Sequence, residues 1–171
     1  MKRVVFLDYD GVVNRRMWTQ VEGRWVCRFG YPEDGAVNDL QAVQWVSQFC
    51  ETYGYAIVVT STWRKYPEWE ACLRAAGLRE SIPILGATSL PTGERAREIS
   101  DYLAEHPDIG AYLVFDDETD LLEGKDGCDH RDRLVLCRAE RGFGEEEYAQ
   151  AVAIHERAGK ETDSAWNTQK N

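Results

Sequence analysis

Short apolar segments alternate along this chain with segments of helical periodicity. Five apolar segments, rich in β-branched residues and bounded by turn-forming or charged residues, predict strands. They are Arg3 to Asp8, Tyr55 to Thr60, Ile82 to Leu85, Ala111 to Phe115 and Arg133 to Cys137. Apolar residues at spacings of three and four predict helices near Val37 to Tyr53, Pro67 to Ala76, Gly93 to Glu105 and Glu145 to Arg157. This alternation predicts an α/β fold with one five-stranded, mainly parallel sheet flanked by helices.

The segment 14–34 departs from this alternation because it places aromatic residues among charges and glycines. These aromatic residues are Trp18, Trp25, Phe29 and Tyr31. We interpret the segment as a β-hairpin or aromatic loop that is inserted after the first strand and overhangs the mouth of a site there. A loop that only packs on the surface fits the pattern equally well. The remaining pattern predicts a single domain over 1–158 and a polar, flexible tail over 159–171.

Composition limits the number of domains and the choice of partners. The 171 residues are 43% hydrophobic and include six tryptophans, enough for one core but too few for two full domains. The net charge is −10; the first 80 residues carry ten basic and ten acidic residues, and the rest carry ten and twenty. Such acidity disfavours non-specific binding to nucleic acid or to anionic membranes. Four clustered arginines form either a local basic patch or part of a solvated loop: Arg15, Arg16, Arg24 and Arg28.

The cysteines predict a reduced environment. Their number is odd and their spacing is not that of metal ligands: Cys27, Cys50, Cys72, Cys128 and Cys137. Several lie in apolar segments, where cysteine packs as a small hydrophobic residue. The apolar start of the chain is interrupted by Asp8 and Asp10, so it resembles neither a signal peptide nor a membrane span. We therefore expect a cytoplasmic protein without a membrane partner.

The sharpest chemical signal is the sequence Asp8-Tyr9-Asp10-Gly11, where the first predicted strand ends. Open parallel sheets bind their ligands at the carboxyl ends of the strands. Residues two apart in an extended segment point the same way, so Asp8 and Asp10 can converge on one phosphoryl group. One would attack phosphorus while the other protonates the leaving oxygen. When two carboxylates lie close together their pKa values move apart, so that one group can carry a proton while the other is ionised. A metal ion beside the nucleophile also keeps it charged.

The second predicted strand and the third predicted helix supply polar and basic residues. Thr60 and Ser61 follow the strand, and their hydroxyl and backbone N–H groups suit phosphoryl oxygens. Either is a candidate phosphate binder, whereas Arg64 is a substrate contact or a structural ion-pair partner. A cation on the helix would offset the negative charge of the site. Arg95 is our first choice and Arg97 the second, because they point to different helix faces.

Carboxylates also cluster where the fourth predicted strand ends. Asp116 and Asp117 come first, followed by Glu118 and Asp120. In a parallel sheet they would lie beside the first pair of aspartates, and clustered oxygen ligands suit Mg²⁺. A solvated acidic loop is the alternative, and Glu118 and Asp120 also fit the start of a helix.

In this order, the four motifs resemble those of the haloacid dehalogenase (HAD) superfamily. They are Asp8 to Asn14, Thr60 to Arg64, Arg95 on its helix, and Asp116 to Asp120. The resemblance implies a Rossmann-like fold, Asp8 as the nucleophile that becomes phosphorylated, and Asp10 as acid and base. It also implies Arg95 as the cation of the third motif and the hydroxyl of Thr60 or Ser61 as phosphate binder. Asp116 and Asp117 would lie near Mg²⁺, which the backbone carbonyl of Asp10 would also ligate.

Two details depart from the commoner HAD pattern. Arg95 stands where lysine is usual, and Trp63 and Arg64, rather than glycine, follow the second motif. Together with the segments GERAREISDYL (93–103) and RLVLC (133–137), these departures make the chain look similar to the small HAD domains of RNA repair proteins and polynucleotide kinase phosphatases. Such domains lack a large cap, so the resemblance implies an open site that admits a nucleotide or a nucleic-acid end. It leaves open whether a kinase or ligase partner is present.

Three functions account for parts of these patterns. The first is a Mg²⁺-dependent phosphomonoester hydrolase, acting on nucleic-acid ends or nucleotides or else on small metabolites. The second is a signalling receiver module, which requires a phosphoacceptor aspartate after the third strand and a late lysine, neither of which the sequence offers. The third is a HAD-like protein without turnover that binds phosphate or a partner.

Overall fold

Seven strands form two separate sheets in this computed structural model, which describes residues 1–29, 39–89, 94–122 and 128–168. The strands are β1 (Lys2–Leu7), β2 (Met17–Val21), β3 (Arg24–Arg28), β4 (Ala56–Val59), β5 (Ile84–Ala87), β6 (Ile109–Asp116) and β7 (Leu134–Leu136). Five of them pair in parallel in the order β5-β4-β1-β6-β7. Each predicted strand overlaps one of these five, so the predicted α/β fold with a parallel sheet is confirmed.

Four α-helices flank the sheet in the described part of the chain. They are α1 (Leu40–Tyr53), α2 (Trp69–Ala75), α3 (Arg95–Glu105) and α4 (Glu145–Thr168). Helix α1 begins where the Asp39 side chain accepts hydrogen bonds from two backbone N–H groups, and it ends at Gly54 with φ 69°. Helix α4 extends beyond the predicted end at Arg157, so helical backbone includes most of the segment predicted as a tail. The flexibility of that segment and the single-domain organisation stay predictions.

The two faces of the sheet have separate cores because side chains alternate along each strand. In β1, Val5 and Leu7 pack with residues of α1, α2 and α4 on one face. Val4 and Phe6 pack on the other face with Ile99 and other residues of α3. Strand β1 is the middle strand, and both of its faces are buried. Its carboxyl end is therefore held rigidly at the centre of one edge of the sheet.

Strands β2 and β3 form the insert that follows β1. They pair in antiparallel fashion through the two-residue turn of Glu22 and Gly23, whose φ angles of 49° and 77° are both positive, as tight hairpin turns require. Of the two structures considered for this segment, the hairpin is therefore the one observed. The remainder of the insert, and the predicted helix starts near Val37 and Gly93, lie outside the described residues. Within the described residues, no helix is long and apolar enough to cross a membrane.

Candidate active site

The register of the sheet places the ends of three strands at the same level. Leu7 of β1 is opposite Val59 of β4 on one side and Phe115 of β6 on the other. The next residues along these strands are Asp8, Thr60 and Asp116. Their positions follow from apolar strands of matched register, and all three residues are buried. Three of the four predicted motifs thus meet at one edge, as expected for a parallel sheet.

The turn after β1 depends on Gly11. The carbonyl of Tyr9 accepts hydrogen bonds from the backbone N–H groups of Val12, Val13 and Asn14, which tightens the chain directly after Asp8. Gly11 has a φ of 79°, in the left-handed region that favours glycine. A Cβ atom at this position would lie 2.3 Å from the carboxyl carbon of Asp117. Gly11 therefore permits both the turn and the close approach of the acidic loop.

Arg95 joins the carboxylates of β1 and β6. Its Nη1 atom lies 2.6 Å from Oδ2 of Asp116 and 3.4 Å from Oδ2 of Asp8. The charges of these aspartates outweigh the effect of burial and raise the pKa of Arg95 above its usual value. Arg97, the alternative cation, is exposed. The first turn of α3 therefore directs Arg95, not Arg97, at the predicted nucleophile.

Asp10 is held through one of its two carboxylate oxygens. Its Oδ1 atom accepts a hydrogen bond of 2.6 Å from the side-chain amide of Asn14 and one of 3.0 Å from Nε1 of Trp63. Burial and the charge of Asp8 raise the pKa of Asp10 and outweigh the lowering effect of these two hydrogen bonds. A carboxyl group with a raised pKa, oriented by two donors on one oxygen, is suited to carry a proton.

Three carboxylates in this site fit a divalent cation. Oxygen atoms of Asp8, Asp116 and Asp117 all lie within 4.8 Å of one another. Burial, followed by the charge of Asp8, raises the pKa of Asp117 to about 6 and that of Asp116 well above its usual value. Arg95 offsets part of the negative charge of this cluster through its ion pairs with Asp8 and Asp116, and the remaining negative charge of the three carboxylates is what a cation would balance. All-oxygen donors of this kind suit Mg²⁺.

A polar pocket of about 400 Å³ lies over these groups. Its lining residues are Asp8, Asp10, Thr62, Arg95, Asp117, Glu118 and Thr119. The predicted phosphate binders Thr60 and Ser61 are fully buried and do not line the pocket, although the Thr60 hydroxyl accepts a hydrogen bond of 3.5 Å from Arg95. The Ser61 hydroxyl caps the short helix of Thr62–Lys65 by accepting from the backbone N–H of Trp63 at 3.3 Å. Thr62, which sequence reasoning left without a role, is exposed and lines the pocket.

Arg64 forms a buried ion pair. Its Nη2 atom lies 2.7 Å from Oε2 of Glu98 on α3, and both side chains are only 3% exposed. The guanidinium also donates to the backbone carbonyls of Thr60, Ser61 and Ser89. Of the two roles considered for Arg64, the structure shows the ion pair. The pair fixes the loop after β4 against the helix that carries Arg95.

The side chain of Asp120 lies outside the part of the chain that the structure describes. The tryptophans differ in exposure. Trp18 and Trp25 of the hairpin are exposed, whereas Trp63 is fully buried. Its contact with Asp10, like that of Glu98 with Arg64, was missed, because contacts between residues so distant in sequence leave no local pattern. The one signal was that the second motif departs from the commoner pattern at Trp63 and Arg64, and both prove to be buried and bonded.

Comparison with known protein families gives one match. Residues 4–148 match the family described as the HAD domain in Swiss Army Knife RNA repair proteins. The matched range includes every residue that lines the pocket. Comparisons with curated proteins and with solved structures find no match.

Proposed function

This chain belongs to the family of HAD domains in Swiss Army Knife RNA repair proteins, and we propose that it is a Mg²⁺-dependent phosphomonoester hydrolase that uses an aspartyl-phosphate intermediate. HAD-type hydrolase activity follows from the family; the metal, the intermediate and the substrate belong to the proposal. The observation that supports it best is that Asp8 and Asp10 line one pocket together with Arg95. Two carboxylates in different environments can take different roles in one reaction.

The first half of the reaction transfers the phosphoryl group to Asp8. A carboxylate oxygen of Asp8 forms a bond to phosphorus as the bond from phosphorus to the leaving oxygen breaks. Asp10, whose pKa is raised, gives its proton to that oxygen, so the alcohol departs neutral. Arg95 stabilises the negative charge that gathers on the phosphoryl oxygens, because it lies 3.4 Å from Asp8.

The second half regenerates the enzyme. Asp10, now a carboxylate, accepts a proton from a water molecule whose oxygen attacks phosphorus. The bond between phosphorus and Asp8 breaks, and inorganic phosphate is released. The hydrogen bonds from Asn14 and Trp63 keep Asp10 in the same orientation for both proton transfers.

Magnesium would be held by Asp8 and Asp117, with support from Asp116 and the backbone carbonyl of Asp10. Asp117 lines the pocket, whereas both oxygens of Asp116 already accept hydrogen bonds, Oδ1 from the backbone N–H of Glu118 and Oδ2 from Arg95. When bound, the ion neutralises part of the charge of the phosphate and the carboxylates, which otherwise repel each other.

The substrate class favoured by the family is the phosphorylated end of a nucleic acid or a nucleotide. The family is described by its occurrence in RNA repair proteins, and the pocket is polar and wide enough for a terminal phosphate. A small-metabolite phosphatase and a phosphate-binding module without turnover are the alternatives.

The test is phosphate release from an aryl phosphate, nucleoside monophosphates, and 3′- and 5′-phosphorylated oligonucleotides, with Mg²⁺ or with EDTA. We expect release that requires Mg²⁺ and is fastest with an oligonucleotide end. The matched variants Arg95→Ala and Arg97→Ala lie two positions apart on α3, and only the first should lose activity. Preference for small esters would favour the metabolic phosphatase. Absence of metal-dependent release from every substrate would overturn the proposal in favour of the binding module.

A further inference from the structure

Two tryptophans share one exposed face of the hairpin. In the antiparallel register, Trp18 is opposite Cys27 and Gln20 is opposite Trp25. Residues 18 and 20 point to the same side of β2, so Trp18 and Trp25 lie on one face as diagonal neighbours. Their side chains are 68% and 66% exposed. Together they form an exposed apolar patch on one face, and such patches mark interaction sites.

The charge of the hairpin is opposite to that of the whole chain. Residues 15–28 contain four basic residues and one acidic residue: Arg15, Arg16, Arg24, Arg28 and Glu22. The segment therefore has a net charge of +3 (4 − 1), whereas the chain has −10. Arg15 is paired with Asp39 at 2.7 Å and Arg16 with Glu140 at 3.8 Å, but both side chains and that of Arg24 are exposed. Basic residues interleaved with exposed aromatic rings are typical of surfaces that bind single-stranded nucleic acid.

The base of the hairpin lies beside the active-site pocket. The backbone N–H of Arg16 donates to the carbonyl of Ala139 at 2.9 Å, which ties the start of the hairpin to the loop after β7. The Arg16 guanidinium lies over the ring of Phe29, 5.1 Å from its centroid. Asn14, two positions before Arg16, donates its side-chain amide to Oδ1 of Asp10 at 2.6 Å, and Asp10 lines the pocket. A strand that reaches the pocket can therefore also reach the hairpin.

We propose that hairpin β2–β3 is a docking platform for single-stranded nucleic acid, on which Trp18 and Trp25 stack unpaired bases next to the phosphorylated end. This inference rests on the proposed function, because the pocket must receive that terminal phosphate. The arginines contact the backbone phosphates, and the rings contact base faces, which every nucleotide offers. The platform therefore favours unpaired ends over duplexes and over small esters, without reading a particular sequence.

Binding is the direct test, using a fluorescent single-stranded RNA of about ten nucleotides, a length within the usual range of stacking sites. The catalytic background is Asp8→Asn, so turnover does not interfere. We expect Trp18→Ala/Trp25→Ala to weaken binding at least fivefold, roughly the effect of losing one stacked base. Trp18→Phe/Trp25→Phe should retain most of the affinity. Met17→Ala is the matched control, because Met17 is 55% exposed but on the opposite face of the hairpin.

Turnover separates failure of this inference from failure of the proposed function. With Asp8 intact, the alanine pair should raise KM for the phosphorylated RNA and leave kcat/KM for an aryl phosphate unchanged. If RNA binding and KM do not change while the aryl phosphate is hydrolysed, the platform is refuted and the phosphatase stands. If no substrate is hydrolysed but RNA binding depends on both tryptophans, the phosphatase is refuted and the platform stands. If the alanine pair only converts a dimer to a monomer, the face is a self-association surface and the inference is wrong.

Discussion

Replacing Glu98 by alanine should leave the Arg64 guanidinium buried without its carboxylate partner. Both side chains are 3% exposed and 2.7 Å apart. Removing one partner of a buried ion pair costs about 3–5 kcal/mol of unfolding free energy. Arg64 would keep its bonds to the backbone carbonyls of Thr60, Ser61 and Ser89. We therefore expect Glu98→Ala to lower the free energy of unfolding by about 3 kcal/mol, near the lower limit of this range.

The assay is urea denaturation followed by circular dichroism, together with thermal unfolding. For a chain of 171 residues, a loss of about 3 kcal/mol corresponds to a decrease in Tm of roughly 6–12 °C. Glu105→Ala is the matched control, because Glu105 is on the same helix but exposed. It should change stability by less than about 0.5 kcal/mol.

A loss of less than about 1 kcal/mol in Glu98→Ala would refute this reasoning, because it is the size expected of an exposed pair. The variant should also reduce turnover, since Arg64 binds the carbonyls of the loop that precedes Thr62 in the pocket. Unchanged turnover in a destabilised variant would confine the pair to a structural role.

Three further changes have defined outcomes. Gly11→Ala should abolish most turnover and lower Mg²⁺ affinity, measured by titration calorimetry, because its Cβ would overlap the Asp117 carboxyl group; unchanged affinity would contradict this. Trp63→Phe removes the indole donor to Asp10 and should lower kcat about tenfold while KM stays constant, as expected for one hydrogen bond to a charged group; an unchanged kcat would exclude a positioning role. Burial lowers the pKa of His130 and outweighs the raising effect of the hydrogen bond from its Nε2 to the Ala96 carbonyl, so the unfolded chain binds a proton more readily than the folded one. Unfolding free energy should therefore fall as pH drops below about 6.5, and His130→Gln should weaken this dependence in urea titrations; an equal pH dependence in both proteins would be the contrary result.

The strands and the ends of the motifs were predictable because they depend on local patterns. Asp8 directly follows an apolar strand, and Asp116 is the last residue of another. Parallel pairing brings such strand ends together independently of how the helices pack. That Arg95 and Arg97 point to different faces of α3 followed from the helical period, although the period did not decide which of them faces the site. These features need only the sequence near each residue.

The partners of Asp10 and Arg64 were not predictable in the same way. Trp63 and Asp10 are 53 positions apart, and Arg64 and Glu98 are 34 apart, so their contacts depend on how the elements pack. The sequence also does not separate the buried Trp63 from the exposed tryptophans of the hairpin, because an aromatic residue carries no sign of burial by itself. Packing against Tyr9, with ring centroids 5.4 Å apart, places Trp63 inside the core.

The most direct test of the central claim is the rate of phosphate release by Asp8→Asn and by the wild-type protein, with one phosphoester and saturating Mg²⁺. Asp101→Asn serves as the control for loss of an exposed carboxylate on α3. Because Asp8 is the attacking group in the proposed reaction, Asp8→Asn should be at least about a thousandfold slower, and Asp101→Asn should match the wild type. If Asp8→Asn hydrolyses the ester at a rate close to that of the wild type, Asp8 is not the nucleophile and the proposed reaction is wrong.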